Sequence, residues 1–333
     1  MRVALIGAGS WGTAAAGLVA PHVDEVIVWS HDDDVPESIN TNHMNPRYLV
    51  DYVLPDNVIA TLSLEEAFEN VDAAVIVVPS AFLRSTCEQM KSYVPADLPL
   101  ICLTKGIEFS TGNLMTDVLA DVLGNPARIA ALSGPNHAEE ICKGSFSAAV
   151  VAADNKDLAE FFKSCFLSQT FRVYTSSDVV GVELCAAMKN VIAIVCGIAS
   201  GFKYGDNTLA LLMTRGLAEI SRLVVACGGD PLTCMGLAGM GDLIATCSSQ
   251  HSRNRTFGES LAAGETLEQY QNRTHMVVEG AQAARSVAQL ARTKGVDCPM
   301  TFALEALLWN NADIDDIVSA LVERLPTEEF YGL

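Results

Sequence analysis

Basic residues are scarce in this chain. It carries 21 Lys and Arg against 40 Asp and Glu over 333 residues, so the net charge is −19. Nucleic-acid binding relies on clustered positive charge, and such a balance argues against it. It argues equally against adsorption to an anionic membrane surface. A small anion is not excluded, because a few local cations hold one against the overall field. Nor is there any Cys-x-x-Cys pair among the ten cysteines. Several of these cysteines sit in apolar runs, where the thiol behaves as a small hydrophobe. A disulfide framework is therefore not expected, and a reducing compartment is. His137, His251 and His275 have no metal-ligand spacing with one another or with cysteine, so no metal site is expected. No run reaches about 18 uninterrupted apolar residues, the length a membrane helix needs. The chain opens directly on Met-Arg-Val-Ala-Leu-Ile-Gly with no charged leader. Together these absences predict a cytoplasmic protein with no integral membrane segment.

Half of the residues are hydrophobic and 18% are charged, a globular balance with enough chain for two domains. In the first half, strand-length apolar runs alternate with helix-length segments. The runs are 3–6, 25–29, 73–78, 100–103, 129–132, 148–152 and 171–174. Most are continuous rather than alternating, as in strands covered on both faces. The pattern predicts an α/β domain with a doubly wound, Rossmann-type sheet over residues 1–178. Beyond about residue 179 the strand pattern stops. Helical periods over 183–200, 207–227, 257–263, 280–294 and 300–309 predict an all-helical domain over 179–333. A sheet domain followed by a helical partner is expected to receive a small substrate in the cleft that they form.

The first strand runs into Gly7-Ala8-Gly9-Ser10-Trp11-Gly12-Thr13-Ala14. After a strand and opening a helix, Gly-x-Gly-x-x-Gly points to a dinucleotide. Gly7 serves the tight turn, Gly9 the approach of a pyrophosphate, and Gly12 the close packing of helix on strand. The helix amino terminus then offers N–H groups to phosphate. The second strand ends near Ser30-His31, where an NAD-selective site usually places an acid; Asp32-Asp33-Asp34 come slightly late. The choice between NAD and NADP stays open here. Two more loops, Thr104-Lys105-Gly106 and Ser133-Gly134-Pro135-Asn136, follow strands on the ligand-binding edge of the sheet, with Lys105 as a point cation for an anion.

In the second half, Glu183 to Gly201 reads as a helix that is apolar on nearly every side, yet Lys189 and Asn190 lie at its middle. Such a helix is normally buried. A buried ammonium is costly unless it is paired or in use, and burial lowers a lysine pKa toward the range of acid–base catalysis. Snorkelling to the surface along its own stem is the competing reading. Gly239-Met240-Gly241-Asp242 ends in an acid suited to hold Lys189 or a substrate hydroxyl, or else to cap a helix. Ser252-Arg253-Asn254-Arg255 looks like an anion clamp at a helix start, or else a surface pair.

These motifs, in this order, resemble the bacterial-type NAD(P)-dependent glycerol-3-phosphate dehydrogenases. The matching pieces also include Ala187-Met188-Lys189-Asn190-Val191 and Val278-Glu279-Gly280, and together they span residues 7 to 280. The resemblance implies that Ser10, Trp11, His31, Lys105, Ala138, Arg253, Val277 and Glu279 contact NAD or NADP beside Gly7, Gly9 and Gly12. It implies that Lys105, Gly134, Asn136, Asp242, Ser252, Arg253 and Asn254 line the pocket of a small phosphorylated substrate, with Lys189 as proton donor and acceptor. Family members often carry serine where Asn136 stands. A homodimer is implied as well. A dehydrogenase of similar layout acting on a 3-hydroxy acid or a sugar acid is the nearest competitor. A non-enzymatic dinucleotide sensor is a further one.

Overall fold

The computed structural model describes residues 1–274, 276–323, 328–329 and 331–332. His275, one of the three histidines weighed above, lies outside the described residues. The chain separates into two compact units, residues 1–105 with 115–179, and residues 106–114 with 180–333. The nine residues 106–114 thus belong to the second unit, although a single cut at 178/179 assigns them to the first. They form a small hairpin closed by an Ile107–Leu114 bridge and by the Glu108 N–H on the Asn113 carbonyl at 2.9 Å. The Phe109 ring lies 3.9 Å from the Arg285 guanidinium of the helical unit. Nothing in local composition marks so short an excursion.

In the first unit the elements run β1 (Arg2–Ile6), α1 (Ser10–Val19), β2 (Glu25–Trp29), α2 (Asp34–Asn42), β3 (Val58–Thr61), α3 (Leu64–Ala67), β4 (Ala73–Ile76) and α4 (Leu83–Met90). They continue β5 (Leu100–Cys102), α5 (Met115–Leu123), β6 (Ile129–Ser133), α6 (Ala138–Cys142), β7 (Ser147–Ala152), α7 (Lys156–Phe166) and β8 (Phe171–Ser176). The eight strands form one sheet in the order β3-β2-β1-β4-β5-β6-β7-β8, parallel except where β6 meets β7. Continuous apolar strands are explained by double coverage. Val3 and Leu5 pack into one core with Val26, Val28 and Val75. Ala4 and Ile6 pack into another with Ile27, Ala74 and Ile76. Strand β3, four residues long with Ile59 exposed, has no such run and is absent from the sequence expectation. Strand order reverses between β2-β1 and β4-β5, and ligands of open α/β sheets bind beyond the strand carboxyl ends at that switch.

The second unit is helical: α8 (Val179–Gly201), α9 (Asp206–Ala226), α10 (Asp242–Ser248), α11 (Arg253–Ala262), α12 (Leu267–Thr274), α13 (Glu279–Lys294), α14 (Pro299–Trp309) and α15 (Ile314–Val322). Helix α8 is long and apolar enough to cross a bilayer, but 89% of its most apolar window is buried inside the protein. It is buried without interruption from Gly181 to Ala199. Glycines bring α11 against it: a Cβ on Gly258 would stand 2.1 Å from the Ile194 carbonyl oxygen, and one on Gly197 2.1 Å from that of Arg255. The backbones touch there, so α11 delivers its first turn to the middle of α8.

Candidate active site

Each unit carries one half of the candidate chemistry. In the first, β1 ends at Ile6 and the chain turns through Gly7 at φ +117°, a conformation that disfavours side chains. A Cβ on Gly12 would lie 1.9 Å from the Gly7 carbonyl oxygen, which explains the close seating of α1. Gly9 faces open space, with nothing within 4 Å of a Cβ placed on it. It is also the residue before α1, whose first turn has no side-chain cap and no acid. The amino-terminal N–H groups and the positive end of the helix dipole are left to an incoming anion. Trp11 beside them has a buried indole N–H with no hydrogen-bond partner. These features fit a dinucleotide pyrophosphate laid across Gly9 and α1.

Two loops frame this turn. Buried Asn45, in the segment after α2, donates its side-chain amide to the Ala8 carbonyl at 2.8 Å and to the Thr13 hydroxyl at 2.9 Å. Its side-chain oxygen accepts the backbone N–H groups of Arg47 and Tyr48 at 3.0 and 3.2 Å. At the end of β2, His31 is exposed. The acids beyond it are not simply solvated: Arg47 pairs with Asp32 at 2.7 Å and with Asp34 at 2.8 Å. Sequence reasoning missed both Asn45 and Arg47, which stand outside every motif.

Further along the same edge, Thr104 fixes the turn after β5 by donating its hydroxyl to the Val78 carbonyl at 2.7 Å. Half-buried Lys105 then donates to the Asn136 side-chain oxygen at 3.1 Å and to the Gly134 carbonyl at 3.4 Å. Three of the expected residues therefore meet. The Asn136 amide nitrogen is buried without a partner, a donor suited to a ligand oxygen. Ala138 is buried at the start of α6.

In the second unit Lys189 does not snorkel. Its side chain is 8% exposed and paired with Asp242, which is 2% exposed. The ammonium also donates to the Thr246 hydroxyl at 2.9 Å, and that hydroxyl donates to the Asp242 carbonyl at 2.6 Å. Asp242 and Thr246 stand one turn apart on α10, so one helix supplies both partners. A π-helical turn over Leu237–Gly241 precedes it, and Gly241 rather than Asp242 is the capping residue. The capping reading of Asp242 is thereby set aside. Burying two opposite charges is tolerable because they are paired and hydrogen-bonded. Beside them on α10, the Cys247 thiol is pushed far up, first by its hydrogen bond to Cys196 and then by burial. It stays a neutral thiol.

Ser252 caps α11, its hydroxyl accepting the Arg255 N–H at 3.3 Å. Asn254 ties three helices together: it donates to the Asn190 side chain at 3.0 Å and accepts the Gly280 N–H at 2.9 Å. Arg253, between them, is exposed. Val277 and Glu279 lie at the start of α13 in this unit, next to Gly280, with Val277 40% exposed. Arg255 is otherwise engaged, by the Ser248 carbonyl and by Glu259. Thr246 went unnoticed in the sequence because a threonine four residues after an aspartate has many ordinary explanations.

A doubly wound sheet with this glycine turn, joined to a helical unit holding a buried lysine–carboxylate pair, defines a nicotinamide-dependent dehydrogenase of two units. Comparison with known proteins narrows the class. The family description "NAD-dependent glycerol-3-phosphate dehydrogenase N-terminus" matches residues 2–159, and the corresponding C-terminus matches residues 178–319. The chain is 44% identical over 331 residues to glycerol-3-phosphate dehydrogenase [NAD(P)+] of Corynebacterium diphtheriae, covering 99% of this chain and 100% of that protein. It is 47% identical over 325 residues to the protein of the same name from Streptomyces griseus subsp. griseus, covering 97% of each. The crystal structure of glycerol-3-phosphate dehydrogenase from Coxiella burnetii superposes with a TM-score of 0.92 at 36% identity, over 97% of this chain and 99% of that one. The chain belongs to the NAD-dependent glycerol-3-phosphate dehydrogenase family.

Proposed function

We propose that this chain is an NAD(P)-dependent glycerol-3-phosphate dehydrogenase, interconverting dihydroxyacetone phosphate and sn-glycerol 3-phosphate. The observation that carries the reading is the buried Lys189–Asp242–Thr246 cluster. Gly9 and the open amino terminus of α1 hold the pyrophosphate of NADH or NADPH, and Trp11 offers its unpartnered N–H. When bound, that cofactor supplies the hydride delivered to C2 of the triose phosphate. As negative charge grows on the C2 oxygen, the Lys189 ammonium stabilises it and donates the proton. One proton and one hydride are consumed, and the product is the secondary alcohol. In reverse, Lys189 takes the hydroxyl proton. Asp242 keeps the lysine in place and balances its charge while it is protonated.

Arg253, exposed at the start of α11, meets the substrate phosphate, and Lys105 supplies a further cation. Asn254, tied to Asn190 and Gly280, holds that turn in register with Lys189 and offers its second amide N–H to the substrate. Val277 and Glu279 contact the cofactor. A homodimer, a cytoplasmic setting and supply of the glycerol phosphate backbone to phospholipid synthesis complete the reading.

The test is a substrate panel followed by loss of reduced-nicotinamide absorbance. Dihydroxyacetone phosphate should be reduced, and its unphosphorylated analogue and 2-keto or 3-keto acids should not. Preference for a keto acid would replace this reading with the neighbouring dehydrogenase class. Sedimentation should give twice 35.5 kDa, and a monomer that turns over at full rate would remove the dimer.

A further inference from the structure

The acids after β2 and the loop after α2 form a built structure rather than a loose surface. Asn45 is fully buried, and its amide and oxygen make four hydrogen bonds. Two of these grip the glycine turn and α1, and two fix the backbone of Arg47 and Tyr48. Arg47 is thus referenced to the same turn that receives the pyrophosphate. Its Nε and Nη1 are spent on Asp34 and Asp32, which hold the guanidinium in one orientation. A guanidinium has five N–H donors. The side chain remains 47% exposed, so its Nη2 edge has room for another acceptor. The carboxyl end of β2 is where a dinucleotide in this fold places the ribose of its adenosine. A 2′-phosphate arriving there would meet Asp32, Asp33 and Asp34, and without a cation it would be repelled.

From this we infer that Arg47 is the residue that admits the 2′-phosphate of NADPH, with Asp32 and Asp34 as its positioning residues and Asn45 as the strut that fixes its loop. The rim then serves both cofactors. The carboxylates accept ribose hydroxyls of NADH, and Arg47 binds the extra phosphate of NADPH by a charge-assisted hydrogen bond from Nη2. The inference rests on the reading of the first unit as a nicotinamide-dinucleotide site, and a binding test keeps the two apart.

Adenosine 2′,5′-bisphosphate and adenosine 5′-monophosphate are titrated calorimetrically into the wild-type chain, Arg47→Gln and Arg47→Lys. Arg47→Gln should weaken the bisphosphate by about tenfold to a hundredfold, the worth of one charged hydrogen-bonded contact. The monophosphate should change by less than about threefold, as for loss of an exposed pair. Arg47→Lys keeps the charge without the planar guanidinium that the two aspartates orient and should fall between. The kcat/KM ratio of NADPH to NADH should drop in step. Equal losses of both nucleotides, or no loss, would overturn the role of Arg47. So would a wild type that binds the monophosphate but not the bisphosphate. If the wild type bound neither, the dinucleotide site itself would be wrong.

Discussion

A single ammonium among apolar neighbours carries most of the proposed chemistry. Lys189 stood out in the sequence because a charged residue at the centre of an apolar helix needs a reason, and the structure supplies it in Asp242 and Thr246. Sequence alone left Asp242 between two roles, since a cap and an ion-pair partner are the same letter. Asn254 shows the limit from the other side: its ties to Asn190 and Gly280, which use one of its two amide N–H groups, join three helices and leave no mark in the sequence. Only folding reveals that bookkeeping. Arg253 is exposed and so is the member of its cluster best able to meet a phosphate. Arg253→Ala should therefore raise KM for dihydroxyacetone phosphate about tenfold or more, the loss of one charged contact, with a smaller change in kcat. Steady-state kinetics check this, and unchanged KM and kcat would exclude the clamp.

Between elements, the site depends on how closely helices approach α8. Gly258→Ala would drive a methyl group to within 2.1 Å of the Ile194 carbonyl oxygen. Overpacking of this kind costs roughly 1–3 kcal/mol, and a unit of this size loses about 2–4 °C of Tm for each. The melting temperature should fall accordingly, with kcat falling too because the first turn of α11 is displaced. A second junction titrates. Glu219 on α9 is buried against the start of α14, accepting the Met300 and Thr301 N–H groups at 2.7 and 3.3 Å. Burial raises its pKa to about 7, above the ordinary value of 4.5, against these hydrogen bonds and Arg222. A carboxyl raised in the folded state binds its proton more tightly there than in the unfolded chain. Its contribution is therefore greatest at acid pH and declines as pH rises from about 4.5 through 7. Denaturant unfolding at pH 5 and pH 8 should show wild type losing stability relative to Glu219→Gln as pH rises. A constant difference would mean that Glu219 titrates normally.

For the molecule as a whole, the fold was legible where two-sided burial writes continuous apolar runs, as in β1, β4 and β6. It was illegible where a strand is short and half-exposed, as in β3, and where the chain leaves one unit for nine residues at 106–114. Both escape for the same reason: too few residues repeat for a period to show. Turn geometry at Gly7–Gly12 was readable because glycine reports backbone constraint directly. Arg47 was not, because its relation to Asp32 and Asp34 exists only after α2 turns the chain back. The account rests most heavily on proton transfer by Lys189. Replacing it alone would strand a buried carboxylate, so the decisive variant pairs Lys189→Met with Asp242→Asn, compared with Asp242→Asn alone. The double variant should melt cooperatively and bind NADH or NADPH as the single one does, while kcat falls by a further 10²–10⁴-fold or so, the usual share of a general acid–base. Turnover equal to that of Asp242→Asn would contradict the account at its centre.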